Sequence, residues 1–126
     1  MVWPKEASPG DEITVALKVR IKPGWRIYRY VPASEPYITA NWKLELSDNL
    51  EKLGEWEKPA PEAYPENPEI YIYQGEQVFT HKIKVLKAGS GDQTVKATIS
   101  YQTCNRDICL RPQEKSKTMK VVISGS

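Results

Sequence analysis

The chain has 126 residues, 40% of them hydrophobic, which suits one domain of ordinary size and is too apolar for disorder. No apolar run approaches the roughly 20 residues of a membrane-spanning helix. The net charge of +2 is unevenly spread: nine acids between Leu44 and Glu76 meet only Lys52 and Lys58, so the rest of the chain is basic, but its C-terminal lysines alternate with apolar residues and read as solvated strand faces, with no nucleic-acid partner implied.

Period-two alternation dominates. Ile13, Val15, Leu17, Val19 and Ile21 alternate with Thr14, Ala16, Lys18 and Arg20, the pattern of a half-buried strand. Pro23-Gly24 ends it, and Trp25 to Tyr30 predicts a second strand rich in aromatics. Trp42, Leu44 and Leu46 alternate with Lys43 and Glu45. Lys58 to Glu69 carries Pro59, Pro61, Pro65 and Pro68. Proline cannot donate to a ladder, so this stretch is predicted to be a loop, either a functional lid or a stiff, passive connection. Ile70 to Tyr73 adds a short strand. Further alternating runs are Phe79 to Val85, Val95 to Tyr101 and Met119 to Ile123. No window sustains a 3.6-residue period. The expectation is an all-β chain of about seven strands at sandwich spacing, with residues 1–126 forming one domain.

The only two cysteines stand in Tyr101-Gln102-Thr103-Cys104-Asn105-Arg106-Asp107-Ile108-Cys109-Leu110-Arg111-Pro112. In the chain-entropy model a loop this short is worth only ~2 kcal/mol, against nearly 5 for one of ~100 residues. The pair is therefore easier to explain by redox chemistry than by stapling, although a local disulfide that ties down one hairpin stays open. The strand ending near Tyr101 runs into Cys104, turns through Asn105-Arg106-Asp107 and returns through Cys109. The sulfurs thus lie on facing arms, close enough to bridge if the side chains point the same way. An antibody-type sandwich disulfide is excluded, because all four tryptophans (Trp3, Trp25, Trp42, Trp56) precede both cysteines. His81, the sole histidine, shares parity with Phe79, Ile83 and Val85 and reads as a packed residue. Two cysteines and one distant histidine are too few for a zinc site, and no cofactor is expected.

With the strands, the proline-rich loop and the paired cysteines in place, the chain resembles the N-terminal periplasmic domain of the thiol:disulfide interchange protein DsbD. The carrying residues are Tyr101-Gln102-x-Cys104-x4-Cys109-x2-Pro112, supported by Pro23-Gly24-Trp25-Arg26-Ile27-Tyr28 and by the loop and strand from Tyr64 to Val85. The resemblance implies an immunoglobulin-like antiparallel β-sandwich of about seven to nine strands. It implies that Cys109 carries a mixed disulfide with a partner, that Cys104 resolves it, and that a cap loop shields the pair. Tyr28 matches a family tyrosine near the cysteines. Tyr64 and Tyr71 are the candidates for the cap aromatic. The chain departs from the family pattern in having four residues between the cysteines where the family has five, and Arg111-Pro112 where it often has Pro-Pro.

The implied partners are a thioredoxin-like domain that reduces this one, and a periplasmic disulfide isomerase or cytochrome c maturation protein that it reduces in turn. The implied location is the periplasm, in a native protein anchored to the membrane by a segment outside this sequence. Exchange needs a thiolate and an accessible sulfur. Arg106 and Arg111 favour the thiolate if they lie close, while Asp107 and Glu66 or Glu69 oppose it. The alternative is a non-catalytic immunoglobulin-like binding or adhesion module with a structural disulfide, its surface made of exposed aromatics such as Trp25, Tyr28, Tyr30 and Tyr37. A stand-alone chaperone has no positive signal.

Overall fold

A computed structural model describes residues 2–4, 6–86 and 91–123, with backbone alone at Gly91. The chain is all-β. Its strands are β1 (Val2–Trp3), β2 (Glu6–Ala7), β3 (Glu12–Arg20), β4 (Arg26–Tyr30), β5 (Asn41–Leu46), β6 (Leu50–Glu57), β7 (Glu62–Tyr64), β8 (Asn67–Tyr73), β9 (Glu76–Val85), β10 (Gly91–Tyr101), β11 (Thr103–Cys104) and β12 (Gln113–Ile123).

Two four-stranded sheets form the sandwich, in the orders β1-β3-β9-β6 and β2-β12-β10-β5. All pairings are antiparallel except that of β2 with β12, which is parallel. The alternation seen in sequence decides which side chains meet. Ile13, Val15 and Leu17 from β3 and Phe79, Ile83 and Val85 from β9 face Leu44, Val95, Ala97, Ile99, Val121 and Ile123 of the other sheet in one buried cluster. A side chain of this kind contributes roughly 1.5–3 kcal/mol when fully buried, so this cluster dominates the stability of the fold. His81 lies in the same layer, buried, with Nδ1 2.8 Å from the Lys82 carbonyl oxygen and its ring edge-on to Trp56 at 5.3 Å.

A third sheet, β11-β4-β8-β7, closes one end. Its two faces do different things. Ile27 and Tyr73 reach into the main core, where Tyr73 packs edge-on against Phe79 and its hydroxyl donates to the Pro59 carbonyl at 2.8 Å. The opposite face carries a separate small core of Tyr28, Ile70, Ile72 and Cys104, flanked by Val31, Tyr37 and Tyr64. The chain enters β4 through a tight turn at Lys22-Pro23-Gly24-Trp25, with Trp25 N–H donating to the Lys22 carbonyl at 3.0 Å. Proline presets the first central residue of that turn, and Gly24, at φ +84°, supplies the left-handed conformation the second one needs.

Among the described residues the strand count is twelve, above the seven to nine expected, and three differences have physical causes. The expected proline-rich loop of residues 58–69 is a hairpin over much of its length. Pro65 sits in the turn between β7 and β8, and Pro68 falls where the register jumps from Ala63↔Tyr71 to Tyr64↔Asn67, so neither removes a ladder donor. Only the stretch from Lys58 to Pro61 stays open. β6 carries no clear alternation because it is a charged edge strand, exposed at most positions and bent near Gly54, where its pairing with β9 shifts register. β12 begins at Gln113, six residues before the apolar run that reveals it in sequence.

Candidate functional site

The two cysteines close the hairpin that follows β11. Cys104 and Cys109 face one another across an antiparallel bridge and are joined by a disulfide. The flanking backbone bonds, Asn105 N–H to Ile108 O and Leu110 N–H to Thr103 O, are both 2.9 Å. The cysteines therefore occupy a non-hydrogen-bonded pair, the kind in which opposing residues come closest, and their Cα atoms are 4.0 Å apart. Asn105 shapes the turn with its side chain: Oδ1 accepts from the amides of Asp107 and Ile108, each at 2.8 Å. A side-chain oxygen thus takes the place of a turn carbonyl, and the Asn105 backbone carbonyl is left to accept from Arg26 Nη2 at 3.1 Å.

The sulfurs differ in surroundings. Cys104 is 1% exposed, set in the small core with Tyr28, Ile70 and Ile72, whereas Cys109 is exposed on the return arm. β4 positions what lies beneath. Arg26 pairs with Cys104, and Tyr28 lies two residues on, on the same face. Tyr28 is buried and stacks on Tyr37 with centroids 4.7 Å apart and planes 13° from parallel. Burial pushes its phenol above the ordinary tyrosine range, partly offset by the hydrogen bond that Arg26 Nε donates to its hydroxyl at 3.4 Å.

The β7–β8 hairpin forms the opposite wall. Tyr64, at the end of β7, lies under the Arg26 guanidinium, 4.2 Å from ring centroid to Cζ, and its hydroxyl donates to Glu66 Oε2 at 2.7 Å. That bond, followed by burial, raises the Tyr64 phenol. Between the walls is a groove of about 320 Å³ that contains both cysteines and is bordered by Arg26, Tyr28, Tyr37, Tyr64 and Glu66.

Of the residues singled out in the sequence, Cys104, Cys109, Tyr28, Tyr64 and Arg106 come together at this groove, as do Glu66 and Asp107. Tyr71 does not line it; it is 41% exposed and packs beside Tyr30 at 6.3 Å. Arg111 and Pro112 are exposed beyond the hairpin and do not line the groove either, nor does Glu69. Tyr28 cannot belong to an exposed aromatic surface, since its ring is buried. Of the other aromatics considered for one, Trp25 and Tyr37 are half-buried and only Tyr30 is exposed. The sequence alone gives Arg26 and Tyr37 no place beside the cysteines and Asn105 only a position in the turn between them. Arg26 was within reach, because strand parity places it beside Tyr28. Among the described residues no cluster of three or more His, Cys, Asp or Glu side chains is arranged to hold a metal.

A family model described as the N-terminal region of thiol:disulfide interchange protein DsbD matches residues 1–120, from the first strand through most of β12. The chain belongs to this family. No curated protein matches the sequence. Membership of the DsbD N-terminal family associates the chain with thiol–disulfide oxidoreductase chemistry, and the Cys104–Cys109 disulfide is a group on which such chemistry operates. Domains of this family are typically periplasmic.

Proposed function

We propose that this domain is a periplasmic electron relay, a protein-disulfide reductase that works through reversible opening of the Cys104–Cys109 disulfide. The observation that carries this reading is the asymmetry of the pair: Cys109 is exposed at the groove and Cys104 is buried beneath it. An incoming thiolate has access to the Cys109 sulfur. Attack there forms a mixed disulfide, breaks the Cys104–Cys109 bond and releases Cys104 as a thiolate that takes up a proton. A second thiol of the donor then attacks its own sulfur in the mixed disulfide and frees Cys109. The donor leaves oxidised, and this domain holds two electrons and two protons as a dithiol. In the forward step the Cys109 thiolate attacks an oxidised client, and Cys104 resolves the adduct.

The donor in this reading is a thioredoxin-like domain, and the clients are oxidised periplasmic proteins such as a disulfide isomerase or a cytochrome c maturation protein. No cofactor takes part beyond the disulfide itself. In this reading residues 1–126 form one domain of a protein that is tethered to the membrane by a segment outside this sequence. Arg26 and Arg106 are the cations that border the groove and favour a Cys109 thiolate, and Glu66 and Asp107 oppose it.

The test is a trapping experiment. Cys104→Ser, with Cys109 first charged as its mixed disulfide with 5-thio-2-nitrobenzoate, should be attacked by a reduced thioredoxin-like domain that lacks its resolving cysteine, releasing thionitrobenzoate and leaving a covalent adduct through Cys109, seen by mass spectrometry under non-reducing conditions. Cys109→Ser should form none. Equal trapping by the two variants would overturn the assigned roles, and trapping by neither would overturn exchange at this site.

A further inference from the structure

A second concave surface lies on the far side of the same hairpin, where the sandwich is left open between β3 and β12. Among the described residues, the outer edge of β3 pairs with β1 only at Thr14 and Val15, and the outer edge of β12 pairs with β2 only at Val122 and Ile123. The two edges diverge around a cleft of about 590 Å³. Its floor is apolar, with Leu17, Ile21, Ile27 and Ile99 buried at its base. Thr103 and Leu110, the neighbours of the two cysteines, form its end wall.

The first half of β12 breaks the pattern of the second. From Gln113 to Thr118 every residue is exposed, whichever face it occupies. Lys115 and Lys117 have the inward parity of Met119, Val121 and Ile123, so they line the cleft instead of the outer surface. Across from them, Lys18 and Arg20 share a single acid, Glu76, at 3.6 and 3.0 Å. Lys22, Lys115 and Lys117 have no ion pair among the described residues. The cleft therefore offers an unpaired strand edge, an apolar floor and an excess of positive charge.

We infer that this cleft docks an extended, acidic segment of a partner polypeptide, which adds to the free edge of β12 and sets Asp or Glu side chains against Lys115 and Lys117. The unpaired backbone edge selects a polypeptide, since strand addition satisfies N–H and C=O groups that other ligands leave open. The lysines select its charge and repel a basic strand. The ends of the cleft and of the disulfide groove meet at the cysteine hairpin, so a partner held here has its neighbouring surface next to Cys109.

The test uses the oxidised domain and needs no electron transfer, so its failure leaves the thiol-exchange reading standing. The acetylated and amidated hexapeptide Glu-Val-Glu-Val-Glu-Val is titrated onto ¹⁵N-labelled protein at low salt, with Lys-Val-Lys-Val-Lys-Val as control. Binding of the acidic peptide should shift amides of residues 17–21 and 113–118 and weaken as salt is added. Lys115→Glu/Lys117→Glu should weaken it at least tenfold, while Lys115→Arg/Lys117→Arg retains it. Absence of binding, shifts confined to the disulfide groove, or unchanged affinity in the charge-reversed variant would each overturn the inference. So would laurate producing the same shifts where the peptide produces none, or concentration-dependent dimerisation through this edge, which would make a fatty anion or a second copy the occupant.

Discussion

Replacing Arg26 removes three contacts at once: the bond to the Asn105 carbonyl, the bond to the Tyr28 hydroxyl, and the guanidinium above Tyr64. Hydrogen bonds from a charged donor are worth about 1.5–3 kcal/mol, and a partly exposed cation–π contact adds about 0.5–1 kcal/mol. These contacts share one side chain and do not add. Arg26→Ala is therefore expected to cost about 2 kcal/mol in urea unfolding, and Arg26→Lys to recover only part of it, because an ammonium cannot reproduce the planar fork. A cost near zero would mean that the contacts do not bind the hairpin to its wall. The buried phenols give a second residue-level expectation. Burial holds Tyr28 and Tyr73 above the ordinary tyrosine value. Above a pH of about 10 the unfolded chain therefore releases protons that the folded chain retains. Their contribution to stability is complete below that pH and is lost as pH rises through the folded-state values. Urea midpoints should be level from pH 7 to 9 and fall beyond 10, with a shallower fall in Tyr28→Phe. An unchanged slope in that variant would remove Tyr28 from the account.

At the scale of elements, the β7–β8 hairpin is part of a sheet and also a wall of the groove, and the two roles can be separated. Tyr64 is half-buried at the rim, whereas Ile72 is fully buried in the small core. Tyr64→Ala should speed reduction of the disulfide by dithiothreitol severalfold while leaving the melting temperature nearly unchanged. Ile72→Ala should cost about 2–5 kcal/mol through the cavity it leaves. If Tyr64→Ala melts the domain and leaves the reduction rate alone, the hairpin is scaffold and does not shield the cysteines. Legibility in the sequence follows the same division. The central strands announce themselves because each buries one face, which writes a period of two into residues such as Ile13 to Ile21. β6 and the first half of β12 bury neither face well, so Glu51 or Lys115 carries no such mark. The cap hairpin is hidden for another reason: its register shift frees Pro68 from the ladder, and proline then misleads. At the site, the cysteines and Tyr28 stand in a motif, whereas the part played by Arg26 depends on contacts with Asn105 and Tyr64, far apart along the chain.

For the whole molecule, the question is whether stability and redox state are coupled. The main cluster joins the two sandwich sheets and contains neither cysteine; Cys104 belongs to the small core of the third sheet. The disulfide closes a loop with a sequence separation of 5. In the chain-entropy model such a loop contributes about 2 kcal/mol, and in a domain of this size that corresponds to roughly 5–10 °C in melting temperature. Reduction should therefore leave the domain folded at room temperature, with an unaltered far-ultraviolet spectrum, and lower the melting temperature by about that amount in a single transition. The same shift should appear in Cys104→Ser/Cys109→Ser without reductant, because both treatments remove one short cross-link and leave the main core intact. A domain that unfolds on reduction at room temperature could not cycle between its two forms as a relay must, and the disulfide would then be a staple, which is the role the short loop argues against.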